Sequence, residues 1–179
     1  MKNAEPQSAF AGYRLMIEAT DGLTLRQVCA ITGLEPSTIQ NWIKRGFVAS
    51  PVQKKYRERQ LARILLISVL RESMQIDSIG TLMTYVNGNT EDESDDIISE
   101  ADLYDRFSAV TKDLKDDLSG IKDIPARVAR EKQEFDAPDQ NAADRLGNAL
   151  TVMAYACAAA FCKEKSENLF ETIKKENVK

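Results

Sequence analysis

Residues 24–46 read Thr24-Leu25-Arg26-Gln27-Val28-Cys29-Ala30-Ile31-Thr32-Gly33-Leu34-Glu35-Pro36-Ser37-Thr38-Ile39-Gln40-Asn41-Trp42-Ile43-Lys44-Arg45-Gly46. Thr24 stands three residues before Gln27, the spacing of a capping box in which a hydroxyl caps an orphan amide and the glutamine reaches back. Val28 and Ile31 share a face, and Gly33 can take the left-handed conformation that ends a helix. Leu34-Glu35-Pro36 reads as a turn. Ser37 and Gln40 repeat the capping-box spacing, which predicts a second helix running to about Arg45 and stopping at Gly46. Two short capped helices joined by a tight Gly-containing turn make a helix-turn-helix. At about 100° per residue, Ile39, Trp42 and Ile43 fall on one face of the second helix. Ser37, Asn41, Lys44 and Arg45 fall on the opposite face, flanked by Thr38 and Gln40. Amide, hydroxyl and cationic groups in one stripe suit base edges and phosphates. The same stripe also reads as an ordinary solvated helix face.

Working outward, residues 10–20 predict a short helix closed at Asp21-Gly22. After the helix-turn-helix, residues 47–52 are too short for a helix and predict a small β wing. From residue 44 to residue 71 the sequence holds Lys44, Arg45, Lys54, Lys55, Arg57, Arg59, Arg63 and Arg71 against the single acid Glu58. Lys54, Lys55, Arg57 and Arg59 crowd the start of a helix expected over about 57–74, where the helix dipole disfavours positive charge. A phosphate bound there would relieve that repulsion and accept from free helix-end amides. A water-screened surface cluster is the other reading. The middle of that helix, residues 64–70, is almost wholly apolar and predicts a buried spine. Another helix over about 78–86 closes near Asn87-Gly88-Asn89.

Composition bounds the rest. The 179 residues are 43% apolar and 29% charged, in the ordinary range of globular domains. The net charge of −4 hides a split: residues 1–89 hold 11 Lys+Arg and 7 Asp+Glu, residues 90–179 hold 13 and 21. A basic half beside an acidic half fits a nucleic-acid-binding head. The three cysteines, an odd number, fit a reducing compartment better than a disulfide framework. The first residues show no signal peptide, so a cytoplasmic location is expected. With no histidine anywhere, a Ser/His or Cys/His nucleophile is impossible. No Gly-rich phosphate loop is present, and no cofactor, metal site or enzymatic activity is expected.

The acidic half begins with Glu91, Asp92, Glu93, Asp95 and Asp96, which predict an exposed linker over 90–98. A helix is expected over 99–119, with Leu103, Phe107, Val110, Leu114 and Leu118 as its stripe. Residues 120–141 predict a helix with loops. A final helix begins near Asp139 or Asn141 and continues past Phe170. Leu146, Leu150, Met153, Cys157 and Phe161 stand 4, 3, 4 and 4 apart along it, close to a heptad seam. Residues 146–162 carry no charge, but Gly147, Asn148, Thr151 and many alanines make them a poorer membrane span than a buried soluble helix.

Residues 24–83 resemble the DNA-binding region of the MerR family of bacterial regulators. The resemblance rests on Thr24, Thr32-Gly33-Leu34, Thr38-Ile39, Lys44-Arg45-Gly46-Phe47, Pro51, Lys55-Tyr56 and Met74-Gln75-Ile76-Asp77-Ser78-Ile79. The whole length resembles the uncharacterised bacterial family "domain of unknown function 1836". The resemblance implies a winged helix-turn-helix with its second helix in the major groove and its wing on the backbone. By position, Thr38, Gln40, Asn41 and Lys44 would face DNA from the helix, and Lys55 and Tyr56 from the wing. Where MerR proteins usually carry an Arg followed by two Tyr, this chain has Gln40, Asn41 and Trp42, and its wing is several residues short.

The expected fold is therefore all-α with at most a tiny β wing. It comprises a basic head (1–89), an acidic linker (90–98) and an acidic helical domain (99–179) for dimerisation or effector response. The expected function is DNA binding in transcription regulation. Ser37, Thr38, Gln40, Asn41, Lys44, Arg45, Lys54, Lys55, Tyr56 and Arg57 are the candidate contacts. Duplex DNA and a homodimer through the C-terminal helix are the expected partners, with an effector left open. The competing reading is a protein–protein interaction module that has lost DNA binding.

Overall fold

A computed structural model describes residues 8–176. The first six residues, in which no signal peptide is read, lie outside that range. The chain is mostly helical, in the order α1 (Ala11–Ala19), α2 (Leu25–Thr32), α3 (Pro36–Lys44), α4 (Glu58–Leu70), α5 (Ile76–Asn87), α6 (Glu100–Thr111), a 3-10 turn (Leu118–Asp123), α7 (Ile124–Gln133) and α8 (Gln140–Glu176). Among the described residues there is no extended strand, only two isolated antiparallel bridges, Leu23 with Tyr56 and Val52 with Lys55.

The first capping box is present: the Thr24 hydroxyl accepts from the Gln27 amide while the Gln27 side chain accepts from the Thr24 amide. Gly33 closes α2 at φ 69°. The second box is not formed. Glu35 is the N-cap of α3 and Pro36 its first residue, so Ser37 lies inside the helix. Proline's fixed φ and missing N–H suit the first helical position, and that preference overrides the Ser37 cap.

The expected β segment at 47–52 is displaced. Phe47 is half-buried and Val48 and Ala49 are buried. The hairpin instead turns at Gln53 and Lys54, both left-handed at φ 51° and 62°. Two positive φ values between bridged residues are the signature of a type I′ turn, which normally takes Asn or Gly. Gly22 lets this hairpin seat: a Cβ there would lie 2.9 Å from Lys55 Cβ, against the Leu23–Tyr56 bridge.

The spine is α4, whose residues 60–67 are all buried and which contacts α1, α2, α5, α6 and α8. One apolar cluster runs from Phe10 to Ala158 and takes side chains from both the basic and the acidic segments. The two segments therefore share a core. The N-terminal end is tied to α6 as well, because Ser8 Oγ and the Phe10 amide both donate to Asp105, at 2.7 and 2.8 Å. Of the expected exposed linker over 90–98 only residues 91–95 are exposed, Ile98 being buried, and the segment is anchored: the Ser50 amide donates to Glu91, and Thr90 to the Gly46 carbonyl.

Ser99 caps α6, which stops at Thr111 rather than near 119 because the chain turns at Asp113, φ 65°. Helix α8 runs 37 residues. Its first seam, Leu146, Leu150, Met153 and Cys157, is buried in the chain's own core, so these residues are not a free dimer face. By length and composition α8 is also long and apolar enough to cross a membrane, at mean hydropathy 1.2, but 44% of that window is buried inside the fold.

Candidate nucleic-acid interface

Helix α3 presents its candidate residues as the spacing predicts. Ile39 and Trp42 are buried, and Ser37, Gln40, Asn41 and Lys44 are exposed with Thr38 half-buried. Among the described residues, the side chains of Ser37, Gln40, Asn41 and Lys44 make no hydrogen bond or ion pair with the rest of the chain. This is a continuous polar strip backed by a rigid apolar anchor. Such a strip keeps its rotamers free for an incoming ligand and its backbone fixed.

Arg45, at the C-cap, donates to Asp77 Oδ1 at 2.7 Å, and its guanidinium lies 4.6 Å from the Phe47 ring centroid. It is held against α5 and reaches outward only by exchanging that partner.

The hairpin supplies one cation that is free among the described residues. Lys54 sits exposed at its tip. Lys55 folds back, its ammonium donating to the Thr20 and Gly22 carbonyls at 3.1 Å each, and so latches the hairpin onto the α1–α2 turn. Tyr56 is only 3% exposed and lies in the core, which corrects its expected place on the DNA-facing surface. Burial raises its phenol pKa above the ordinary tyrosine value. Arg57 is the N-cap of α4, and its guanidinium donates to Asp21 at 2.7 Å. That charge-assisted bond holds the Asp21 carboxyl below its ordinary pKa.

Arg59 and Arg63 turn inward. Arg59 donates to the Asn89 and Asp92 carbonyls and pairs with Glu93 (3.0 Å) and Asp96 (3.6 Å). Arg63 is buried, donates to the Phe47 carbonyl at 2.8 Å, and pairs with the fully buried Glu100. Arg71 lies 5.7 Å from the Trp42 ring centroid. The crowding of cations at the start of α4 is therefore relieved by carboxylates of the chain itself: Asp21, Glu93, Asp96 and Glu100. A bound phosphate is not needed to explain it.

Arg26, which no sequence pattern singles out, is exposed in the first turn of α2 and has no ion pair among the described residues. It is the one charged residue of α2, and a lone charge makes no pattern. With Lys44 and Lys54 it makes up the cations of α2, α3 and the 52–55 hairpin whose side chains find no partner among the described residues. Among the described residues there is no cluster of three or more metal-ligating side chains.

Residues 20–107 match the model of a family described as a domain of unknown function (DUF1836). The matched segment begins before α2, crosses residues 90–98 and ends inside α6, so it contains both partners of the Arg59–Asp96 and Arg63–Glu100 pairs. The chain is similar to an uncharacterized protein, YkrK, of Bacillus subtilis (strain 168). The two are 29% identical over 90 residues, covering 48% of this chain and 39% of that relative. No solved structure matches.

Proposed function

We propose that this chain binds duplex DNA as a winged helix-turn-helix and acts in transcription regulation. Helix α3 is the recognition helix and the 52–55 hairpin is a minimal wing. The observation that carries this reading is the outward strip of α3, whose amide, hydroxyl and ammonium groups have no partner among the described residues while Ile39 and Trp42 fix the helix from behind. In this reading Gln40 and Asn41 read base edges. Lys44, Lys54 and Arg26 contact phosphates and set register. Arg45 and Arg57 are reserve contacts, held by exposed carboxylates until a phosphate competes for them. With no histidine in the chain, a binding role is favoured over a catalytic one.

The second reading is a protein-interaction module. It is supported by the inward turn of Tyr56, Arg59 and Arg63, which leaves a weaker cationic surface than the sequence suggests. Selection of bound fragments from a random duplex library separates the two. Wild-type protein enriches a sequence motif, and the Lys44→Glu/Lys54→Glu variant, folded by circular dichroism, enriches nothing. Absence of a motif with both proteins rejects sequence-specific DNA recognition.

A further inference from the structure

A cavity of about 440 Å³ lies at the C-terminal end of α3, between the chain leaving that helix, α4 and α5. One wall is a face of α5, where Gly80 lets the Phe47 ring close against the helix: a Cβ at Gly80 would come within 2.7 Å of Phe47 Cε1. Arg63 lines the cavity from α4 although it is only 2% exposed. Its Nε donates to the Phe47 carbonyl and its Nη1 to Glu100, and its Nη2 has no partner among the described residues. A buried donor left unmatched is costly. The Thr84 hydroxyl is likewise without a partner among the described residues, whereas Thr81 and Thr90 donate to the Asp77 and Gly46 carbonyls. Arg45 pairs here with Asp77, the one acid of the lining. Their side chains are 45% and 75% exposed, so the pair is weak and readily exchanged.

We propose that this cavity binds a small organic monocarboxylate, held by Arg45 and Arg63, and that its occupant competes with DNA for Arg45. The competition rests on the DNA-binding reading above; the site itself does not. Donors select the class. The uncommitted groups are Arg63 Nη2, the Thr84 hydroxyl and the remaining Arg45 N–H groups, so a fitting ligand brings acceptors. Once Asp77 turns out into water, Arg45 and Arg63 against Glu100 leave one net positive charge. That suits a monoanion better than a phosphate dianion, and a guanidinium fork matches the plane of a carboxylate. The Phe47 ring offers a surface to the ligand's apolar body, and the volume is in the range of small-molecule sites. Arg63, already held at two nitrogens, loses little freedom when a ligand arrives. A carboxylate on Arg45 keeps that guanidinium from the DNA backbone, so ligand and DNA weaken each other by the same factor.

The test is titration of the isotope-labelled full chain with benzoate at constant ionic strength, read by amide NMR shifts. Wild type is expected to saturate with a dissociation constant of about 1 mM, with shifts centred on Gly46, Phe47, Gly80 and Thr84. Thr84→Tyr fills the cavity from an exposed position on α5. That variant and Arg45→Gln are each expected to weaken benzoate at least about tenfold. Saturating benzoate is expected to weaken DNA binding by wild type about fivefold or more. Thr84→Tyr is expected to bind DNA as wild type does, with no response to benzoate. No saturation at about thirty times the expected constant overturns the site. So do shifts centred on Gln40, Asn41 and Lys44, equal affinity in both variants, or tighter binding of inorganic phosphate. Benzoate that fills the cavity and leaves DNA affinity unchanged overturns the competition. A chain that binds benzoate there and never binds DNA supports the site, and overturns the DNA reading together with the competition.

Discussion

The strip on α3 and the cation run from Arg57 to Arg63 carry similar charge in the sequence and have opposite fates in the fold. On α3 only Arg45 at the C-cap meets an acid, and among the described residues Lys44, Asn41 and Gln40 stay free beside a buried Trp42. At the start of α4, Asp21 from the α1–α2 turn and Glu93, Asp96 and Glu100 from the segment leading into α6 take up Arg57, Arg59 and Arg63. The basic first half and acidic second half are thus partly one internal neutralisation. Free charge, not total charge, marks an interface.

The comparison breaks most visibly at Glu100. Removing it as Glu100→Ala leaves Arg63 buried without its counter-charge. The expected loss is about 3–5 kcal/mol of stability, read by urea unfolding. Lys44→Ala should stay within about 0.5 kcal/mol in the same assay. Equal, small losses at both positions would erase the distinction between tied and free cations.

Asp96 offers the next largest effect. Burial pushes its carboxyl up to about 6, despite Arg59 nearby. Because the folded pKa lies above the unfolded one, its contribution to stability is complete below about pH 4 and is lost as pH rises through about 6. The loss is at most about 3 kcal/mol. Asp21, Asp92, Asp117 and Asp144 are shifted down and act in the opposite sense at lower pH. The difference between wild type and Asp96→Asn, measured by denaturant unfolding from pH 4 to 7, isolates the first effect and should widen in favour of the variant. A flat difference would contradict the shift.

On the free strip, Asn41→Ala should cost about 1–3 kcal/mol of discrimination at one base position, with little change in non-specific affinity. Binding to a panel of single-base variants of the selected motif reads this. Smallest is Gln53→Gly. Relieving a left-handed non-glycine residue should raise stability by about 1 kcal/mol, visible as a shift in the urea midpoint.

Local signals were legible in the sequence where they act over three or four residues. Thr24 with Gln27, Gly33 and the apolar middle of α4 read correctly because each is a short-range constraint. Ser37 misled because Pro36 competes for the same helix start. The end of α6 was illegible, since nothing around Lys112-Asp113 resembles a breaker. The hairpin tip hid because Gln53 and Lys54 are unusual residues at positive φ. Arginine partners lie far along the chain, 37 residues apart for Arg63 and Glu100, and no periodicity announces them. On the candidate site, the outward strip of α3 was readable, whereas the burial of Tyr56 follows from its bridge to Leu23 and was not.

In the proposed complex, the free cations on α2, α3 and the hairpin meet DNA phosphates. Fluorescence anisotropy of a labelled duplex carrying the selected motif, titrated at several salt concentrations, tests it most directly. Arg26, Lys44 and Lys54 predict about three phosphates per protomer. The slope of log affinity against log salt is then about −3 per protomer, becoming shallower by about one for each of the three replaced. A slope near zero, or a slope unchanged in Lys44→Ala and Lys54→Ala, would contradict it.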